Sequence, residues 1–346
     1  MSSEADASKA DRPRAFSARV RLAGSTIARV GGLLIAVIII MTLFAAASDG
    51  RFLSFNNLLG LLRYMSTVAI VGLGLTLVIV VGEIDLSFAS VYGFSAMVVA
   101  VSWILWGVPI YVAIPLGLLA AVLVGAFNGF FTTIVGIPSF IATLGSSTLV
   151  FGFTILISNT ASFNPTYPPT GREIDPSQLD FFTGLSNQSL PLGFPMQALW
   201  MLGAAMIFAF LLGRSVFGFR LKAIGGNPQA ARLARLPVRR YKIVAFVLCS
   251  TMAALAAILD FAFIGSTQVN AGQSLLFPVF AAVIIGGASL AGGRGTVVGT
   301  LGGALLLAVL ANGLALISAG AFAQQMLLGT VTIAAVVLDR FTQKLR

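Results

Sequence analysis

Long apolar runs are the feature that most constrains what this chain can fold into. Examples are Val30 to Ala47, Val68 to Val81 and Ala304 to Leu316. Hydrophobic residues make up 58% of the sequence and charged residues only 9%, whereas roughly a quarter of a soluble domain is charged. Because a water-soluble fold cannot hide so much apolar surface, lipid must be the solvent for these faces. The sequence therefore predicts an all-α membrane protein.

The spacing of the apolar runs predicts about ten crossings, at roughly 20 residues per crossing. The expected spans are 28–48, 57–82, 88–107, 110–133, 138–158, 197–213, 243–265, 269–290, 296–318 and 322–340. We expect a cytoplasmic N-terminal tail at 1–27, a membrane-spanning domain at 28–340 and a cytoplasmic C-terminus at 341–346. An even number of crossings places both termini on the same side.

The basic residues predict the orientation. Residues 9–29, 214–242 and 340–346 hold six, eight and three of the 21 Lys and Arg residues, and such clusters mark cytoplasmic segments. Both termini and the 214–242 loop are therefore expected inside, and the long 159–196 loop outside. The tail lacks a small-residue cleavage site and is interpreted as retained. Despite the net charge of +10, the basic residues are not interleaved with stacking aromatics, which argues against nucleic-acid binding.

Two stretches resemble interrupted helices. Residues 82–87 (GEIDLS) and 286–295 (GGASLAGGRG) each follow an apolar run and begin with glycine, and the second holds five glycines. Unwound backbone survives in a membrane only where it is buried or lines a cavity. The two stretches share an order of residue types, which indicates a possible internal repeat of the kind found in transporters.

The sequence lacks the parts of several enzyme classes. It has no histidine and a single cysteine, Cys249, so metal-dependent and Cys/His chemistry are not expected and Cys249 is interpreted as a packing residue. No lysine follows a glycine, so no phosphate-binding loop can be written. We expect no cofactor, no metal and no catalysis, and any ATP must be hydrolysed by another chain.

Three acidic residues lie in or beside apolar runs: Glu83, Asp85 and Asp260. Ionisable groups at membrane depth are costly and are therefore candidate functional residues. Asp85 has an alternative interpretation, as a cap for the helix that begins near Leu86. The negative charge of Glu83 would also be stabilised by the dipole of that helix. Asp260 has no nearby helix break and is expected to make a polar contact within the bundle.

The segment after the sixth span predicts a short capped helix. Gly225 and Gly226 form a turn, Asn227 is a good cap, and Pro228 suits the first helical position. Such a helix could receive a partner on the cytoplasmic side. The alternative is that this basic loop only determines topology.

Several motifs give the chain a resemblance to a known family. They are Gly82–Ser87, Phe127–Gly129, Ile137–Gly145, Ala223–Ala231 and Ile285–Thr300. In this order they resemble the ribose-, xylose- and fructose-type permeases of bacterial ATP-binding-cassette (ABC) importers. Two departures are Arg235 and Ala89, which stand where the family commonly has glycine.

The resemblance implies an inner-membrane permease that pairs with a second permease copy, a cytoplasmic ATPase and a periplasmic sugar-binding protein, within membrane lipid. It places ATPase docking on Gly226, Asn227, Pro228, Ala230 and Ala231. The candidates for the substrate pathway are Glu83, Asp85, Ser87, Asn128, Thr143 and Ser289.

The expected function is import of a simple sugar by alternating access, driven by ATP hydrolysis on a separate chain. A pentose, a hexose or a polyol all remain open as the substrate. An ion-coupled secondary transporter using the three acids is one alternative. Others are a permease for branched-chain amino acids and a membrane enzyme, the last disfavoured by the missing catalytic groups.

Overall fold

A computed structural model describes residues 31–169, 171–188 and 190–344 of the chain. The expected tail at 1–27 and the last two residues lie outside this part. The described residues form thirteen helices. They are α1 (Gly31–Ala47), α2 (Phe55–Val80), α3 (Phe88–Ala100), α4 (Ile110–Phe130), α5 (Ser139–Ser158), α6 (Pro176–Asn187), α7 (Met196–Gly213), α8 (Val216–Gly226), α9 (Pro228–Leu233), α10 (Val238–Ile264), α11 (Leu276–Ile285), α12 (Val297–Leu316) and α13 (Ala321–Lys344).

The predicted all-α membrane fold is confirmed. Among the described residues, seven helices are long and apolar enough to cross a bilayer, counting the π-helical turns that extend α3 to Leu105 and α4 to Val135. The other three expected spans also coincide with apolar helices, Gly31–Ala47, Gln273–Ile285 and Phe322–Val337, but these are shorter. The span expected at 269–290 is the clearest difference, because α11 has only 10 residues and is about 15 Å long.

Helices α2 and α3 occupy the centre of the bundle. About 83% of the spanning window of each is buried, against 28% for α4 and 22% for α5. Helix α4 packs on α10 through Gly125 and Gly129: a Cβ atom on Gly125 would lie 2.7 Å from the Val247 Cα, and one on Gly129 would lie 2.8 Å from the Ile243 Cα. Small residues four apart let membrane helices approach this closely. Cys249 is fully buried beside Gly74, which agrees with a packing role.

The 159–196 loop contains a helix that the sequence analysis did not predict. Asp175 caps α6 by accepting a hydrogen bond from the Ser177 amide at 2.9 Å, and Pro176 takes the first helical position. Hydrogen bonds from the Ser177 hydroxyl and amide hold the pKa of Asp175 below its usual range. The Ser186 hydroxyl donates to the Leu259 carbonyl at 2.6 Å, which fastens α6 to α10. The loop therefore covers one end of the bundle.

Candidate transport and coupling site

The first interrupted region is an extended segment that runs along α5. The Ile84 amide donates to the Ser139 Oγ at 3.1 Å, and the Leu86 amide donates to the Thr143 Oγ1 at 3.1 Å. Two extended residues advance about 6.6 Å along the chain, and four helical residues advance about 6 Å. Hydroxyls one helical turn apart on α5 therefore lie opposite every second amide of the extended segment. These hydroxyls satisfy backbone donors that would otherwise be unpaired inside a membrane.

Asp85, Ser87 and Asn128 form a fully buried polar cluster at the start of α3. The Asp85 Oδ1 accepts from the Ser87 amide at 2.8 Å and from the Ser87 hydroxyl at 2.7 Å. The Asn128 amide in turn donates to the Ser87 Oγ at 2.7 Å. The Asp85 carboxylate thus holds the turn that leads into α3. It does not cap the helix itself, because Ser87 is the N-cap of α3 and that end has no side-chain cap hydrogen bond.

Glu83 is engaged in an ion pair. Its carboxylate contacts the ammonium group of Lys242 near the start of α10, and the two side chains are only 12% and 15% exposed. The pair ties the first interrupted region to the helix that follows the α8–α9 segment. Breaking a poorly hydrated pair by removing one partner costs more than breaking one at the surface.

The second interrupted region, between α11 and α12, is held by its own backbone and by α13. The Ser289 amide donates to the Arg294 carbonyl at 3.0 Å, and the Leu290 amide donates to the Asp339 Oδ2 at 3.2 Å. Thr296 caps α12 by accepting from the Gly299 amide at 3.1 Å. Ser289 is buried in this second region. Of the candidate pathway residues, it therefore belongs to a different interrupted region from Asp85.

The two interrupted regions meet at one place, which we call the glycine junction: Gly82, Gly225, Gly226, Gly292 and Gly293. The Gly293 amide donates to the carbonyl of Val80, the last residue of α2, at 2.8 Å. A Cβ atom on Gly292 would lie 2.9 Å from the Gly82 Cα, and one on Gly293 would lie 2.8 Å from the Gly226 Cα. Three backbone segments therefore pack together with no side chain between them.

The junction lies where α8 ends and α9 follows, and the predicted short helix is present. Gly225 and Gly226 were expected to form a turn, but they are the last two residues of α8. The Asn227 Oδ1 accepts from the Ala230 amide at 3.0 Å, and Pro228 is the first residue of α9. Ala230 is exposed but Ala231 is 5% exposed and packs in the hydrophobic core of this chain. Of the two alanines expected at the ATPase contact, only Ala230 therefore lies on the exposed side of α9, because successive helical residues point about 100° apart.

The exposed side of α9 instead carries Leu233, which is 86% exposed. Leu233 was not among the residues predicted from the sequence. Its position among basic residues in a loop was the signal that could have indicated it. Arg235, which stands where the resembling family has glycine, adopts a left-handed φ of 55°. The turn after α9 therefore keeps a glycine-type conformation without the glycine.

Asp260 makes the polar contact expected of it. Its carboxylate accepts from the Thr67 Oγ1 at 2.9 Å and from the Tyr92 hydroxyl. The nearby Arg63 guanidinium lies 4.7 Å from the centre of the Phe263 ring. This cluster joins α2, α3 and α10 in the half of the bundle away from α9.

A multi-pass bundle with two interrupted helices that converge on a short exposed helix has the architecture of a membrane transport protein. Residues 57–336 match the family described as "Branched-chain amino acid transport system / permease component". The chain belongs to this family.

Relatives of known name agree with this class. The chain is 34% identical to the ribose import permease protein RbsC of Escherichia coli (strain K12), over 90% of this chain and 93% of the relative. It is 35% identical to RbsC of Bacillus subtilis (strain 168), over 89% and 91%. It is 31% identical to the xylose transport system permease protein XylH of Escherichia coli (strain K12), again over 89% and 91%.

Proposed function

We propose that this chain is the permease subunit of an ABC importer for a simple sugar. The observation that carries the proposal is the glycine junction, which connects the exposed helix α9 directly to both interrupted helices. The similarity to ribose and xylose permeases over about 90% of the chain supports a sugar as the substrate. The chain itself performs no covalent chemistry in this proposal.

In the proposed mechanism a separate ATPase docks on α9 and moves it. The displacement reaches the first interrupted helix through the Glu83–Lys242 ion pair. It reaches both interrupted helices through the glycine junction, where the Gly293 amide is hydrogen-bonded to the Val80 carbonyl. The polar residues around the interruptions bond to the backbone there and fix the ends of α2, α3 and α12. Each of these helices can then tilt as a unit. The partners must supply the differential affinity that drives the change of state.

The proposed orientation places α9, the junction and both termini in the cytoplasm, with the 159–196 loop in the periplasm. The contacts support this arrangement, because 80–88, 225–242 and 286–296 share one end of the bundle while α6 lies on the C-terminal end of α10. The exposed end with α9 also carries the eight basic residues of 214–242. A periplasmic sugar-binding protein would deliver substrate at the α6 end of a bacterial inner-membrane protein.

We also propose a second permease copy, with the passage between the copies. Helices α4 and α5 leave most of their spanning surface uncovered in the single chain, and lipid and the second copy would share that surface. Glu83, Asp85, Ser87, Asn128 and Thr143 lie along one interruption and Ser289 in the other. In this proposal they shape the pathway by holding the interrupted backbone.

One alternative has a specific observation in its favour, and the structure argues against another. The family description favours an amino acid as the substrate. Ion coupling would use Glu83, Asp85 or Asp260, but each of these carboxylates already has a partner within the protein: Lys242, Ser87, and Thr67 with Tyr92, respectively.

Uptake by the reconstituted transporter tests the proposal. The chain is purified with its ATPase and binding protein in proteoliposomes, and uptake of labelled D-ribose, D-xylose and L-leucine is measured with and without ATP. We expect ATP-dependent uptake of a sugar only. Leucine uptake, or sugar uptake by the chain alone driven by a proton or sodium gradient, would contradict the proposal.

A further inference from the structure

A polar groove lies between α3, α5 and the start of α11, outside the clusters described above. It has a volume of about 340 Å³ and is lined by Ser90, Ser147, Thr148 and Gln273, with Leu86 and Phe151 among its apolar residues. Ser147 and Thr148 lie at the middle of the 20-residue helix α5, so the groove is at the middle of the membrane. Its volume is at the small end of the range for ligand pockets, about 300–1,000 Å³.

The chemistry of the lining is neutral. The Ser90 and Ser147 hydroxyls are hydrogen-bonded to each other at 2.8 Å, and the exposed side chain of Gln273 has no protein partner among the described residues. Hydroxyl and amide groups both donate and accept hydrogen bonds, which matches a ligand made of hydroxyl groups. A charged ligand would find no counter-ion on this lining and would lose its hydration without compensation.

The position of the groove also favours an occupant other than lipid. The exposed side chain of Gln273 lies at membrane depth without a protein partner among the described residues, where an unpaired polar group in contact with lipid is unfavourable. The exposed Thr148 hydroxyl donates to the Leu144 carbonyl at 3.3 Å and can still accept a hydrogen bond. The wall on the α11 side is formed by Gln273, the first residue of a short 3-10 helix, and by Leu276 of α11. Leu86 of the first interrupted region also lines the groove, and transporters commonly bind their substrates beside interrupted helices.

We propose that this groove is a subsite for a neutral monosaccharide on its way through the membrane. The inference rests on the proposed function and specifies where in this chain the sugar makes contact. Ser90, Ser147, Thr148 and Gln273 provide its hydrogen bonds, and Phe151 provides an apolar surface for a face of the sugar ring.

Cysteine labelling tests occupancy of the groove directly. Thr148→Cys and Leu149→Cys are made in a Cys249→Ser background, and the purified chains in lipid nanodiscs are treated with a membrane-impermeant methanethiosulfonate reagent. Leu149 is a matched control, because it is 51% exposed at the same depth but lies in a separate apolar cleft beside Phe127 and Phe131.

We expect Thr148→Cys to react about tenfold faster than Leu149→Cys, because only the groove admits water. D-ribose or D-xylose should slow the first reaction at least about threefold and leave the second unchanged. Equal rates for the two variants, or no protection by either sugar, would overturn the proposal. Protection by L-leucine in place of a sugar would overturn it together with the proposed function.

Transport kinetics give an independent readout. Ser147→Ala and Gln273→Leu each remove one hydrogen-bonding group and should raise the KM for sugar about three- to tenfold with a smaller change in maximal rate. Thr330→Val is the control, because its hydroxyl only bonds the Met326 carbonyl on an exposed face of α13. An unchanged KM in both variants, with ATP-driven uptake intact, would show that the groove is not a sugar subsite but would leave the proposed function standing. Absence of ATP-driven sugar uptake in the unmodified protein would instead exclude the proposed function.

Discussion

Replacing Gly293 by alanine should uncouple ATP hydrolysis from transport. Gly293 has a φ of 77°, where a residue with a Cβ is destabilised by about 1–2 kcal/mol. The added Cβ would lie 2.8 Å from the Gly226 Cα and 3.0 Å from the Gly226 amide nitrogen. Backbone atoms cannot rotate away as a side chain can, so overpacking adds about 1–3 kcal/mol.

Gly136→Ala is the matched control for this substitution. Gly136 has a φ of 87° and lies between α4 and α5, near the same end of the bundle, but its Cβ would meet nothing within 4 Å. It therefore bears the backbone strain without the clash. The difference between the two variants isolates the contact between the second interrupted region and the α8–α9 segment.

The assay measures ATP hydrolysis, ATPase co-purification and sugar uptake in proteoliposomes at equal amounts of folded protein, with thermal unfolding recorded for both variants. We expect Gly293→Ala to retain the ATPase, because the exposed face of α9 is unchanged. Its uptake should fall at least about tenfold below that of Gly136→Ala, since 1.4 kcal/mol corresponds to tenfold. Equal uptake per folded molecule in the two variants would refute a coupling role, even if Gly293→Ala unfolds at a lower temperature.

The remaining predictions concern docking, the turn before α3 and topology. Ala230→Asp should reduce ATPase co-purification by an order of magnitude or more without lowering thermal stability. Ala231→Asp should instead destabilise the chain itself, because a charge enters its core. The reverse pattern, measured by co-purification and thermal unfolding, would contradict the geometry of α9. Asp85→Asn should retain transport, because the asparagine oxygen can accept the same hydrogen bonds from Ser87. Asp85→Leu should lose about 1–3 kcal/mol of stability and much of its uptake, because the Ser87 donors are left unpaired. Loss of uptake in both variants at unchanged stability would indicate a role for the charge. A thiol placed by Ser177→Cys in the Cys249→Ser background should be labelled from the periplasm, and labelling only from the cytoplasm would invert the proposed orientation.

Much of the fold was predictable because membrane burial produces long apolar runs. The spans around α2 and α12 and both interruptions were located within a few residues, since glycine and the polar residues at 82–87 and 286–295 mark where helices stop. The cap at Asn227 was also predictable, because capping depends on the local sequence alone. The helix α6 could have been found by the same reasoning, from Asp175, Pro176 and Gln178.

The pairings between distant segments were not predictable. Glu83 and Lys242 are 159 positions apart and pair only because α2 and α10 are neighbours at one end. The contact of Gly293 with Val80 leaves no side-chain pattern at all, because it is made by the backbone. The shortness of α11 could have been predicted, because Asn270, Gly272 and Gln273 precede its ten apolar residues and Gly286 and Gly287 follow them.

The glycine junction also has an evolutionary consequence. Every residue of the junction is already the smallest possible one, so a substitution there adds atoms and cannot refine the fit. In the proposed mechanism, substrate preference and the choice of ATPase depend instead on side chains elsewhere, in the groove and on the outer side of α9. Relatives can therefore diverge in what they carry and in the motor they use while inheriting one unchanged linkage between the two.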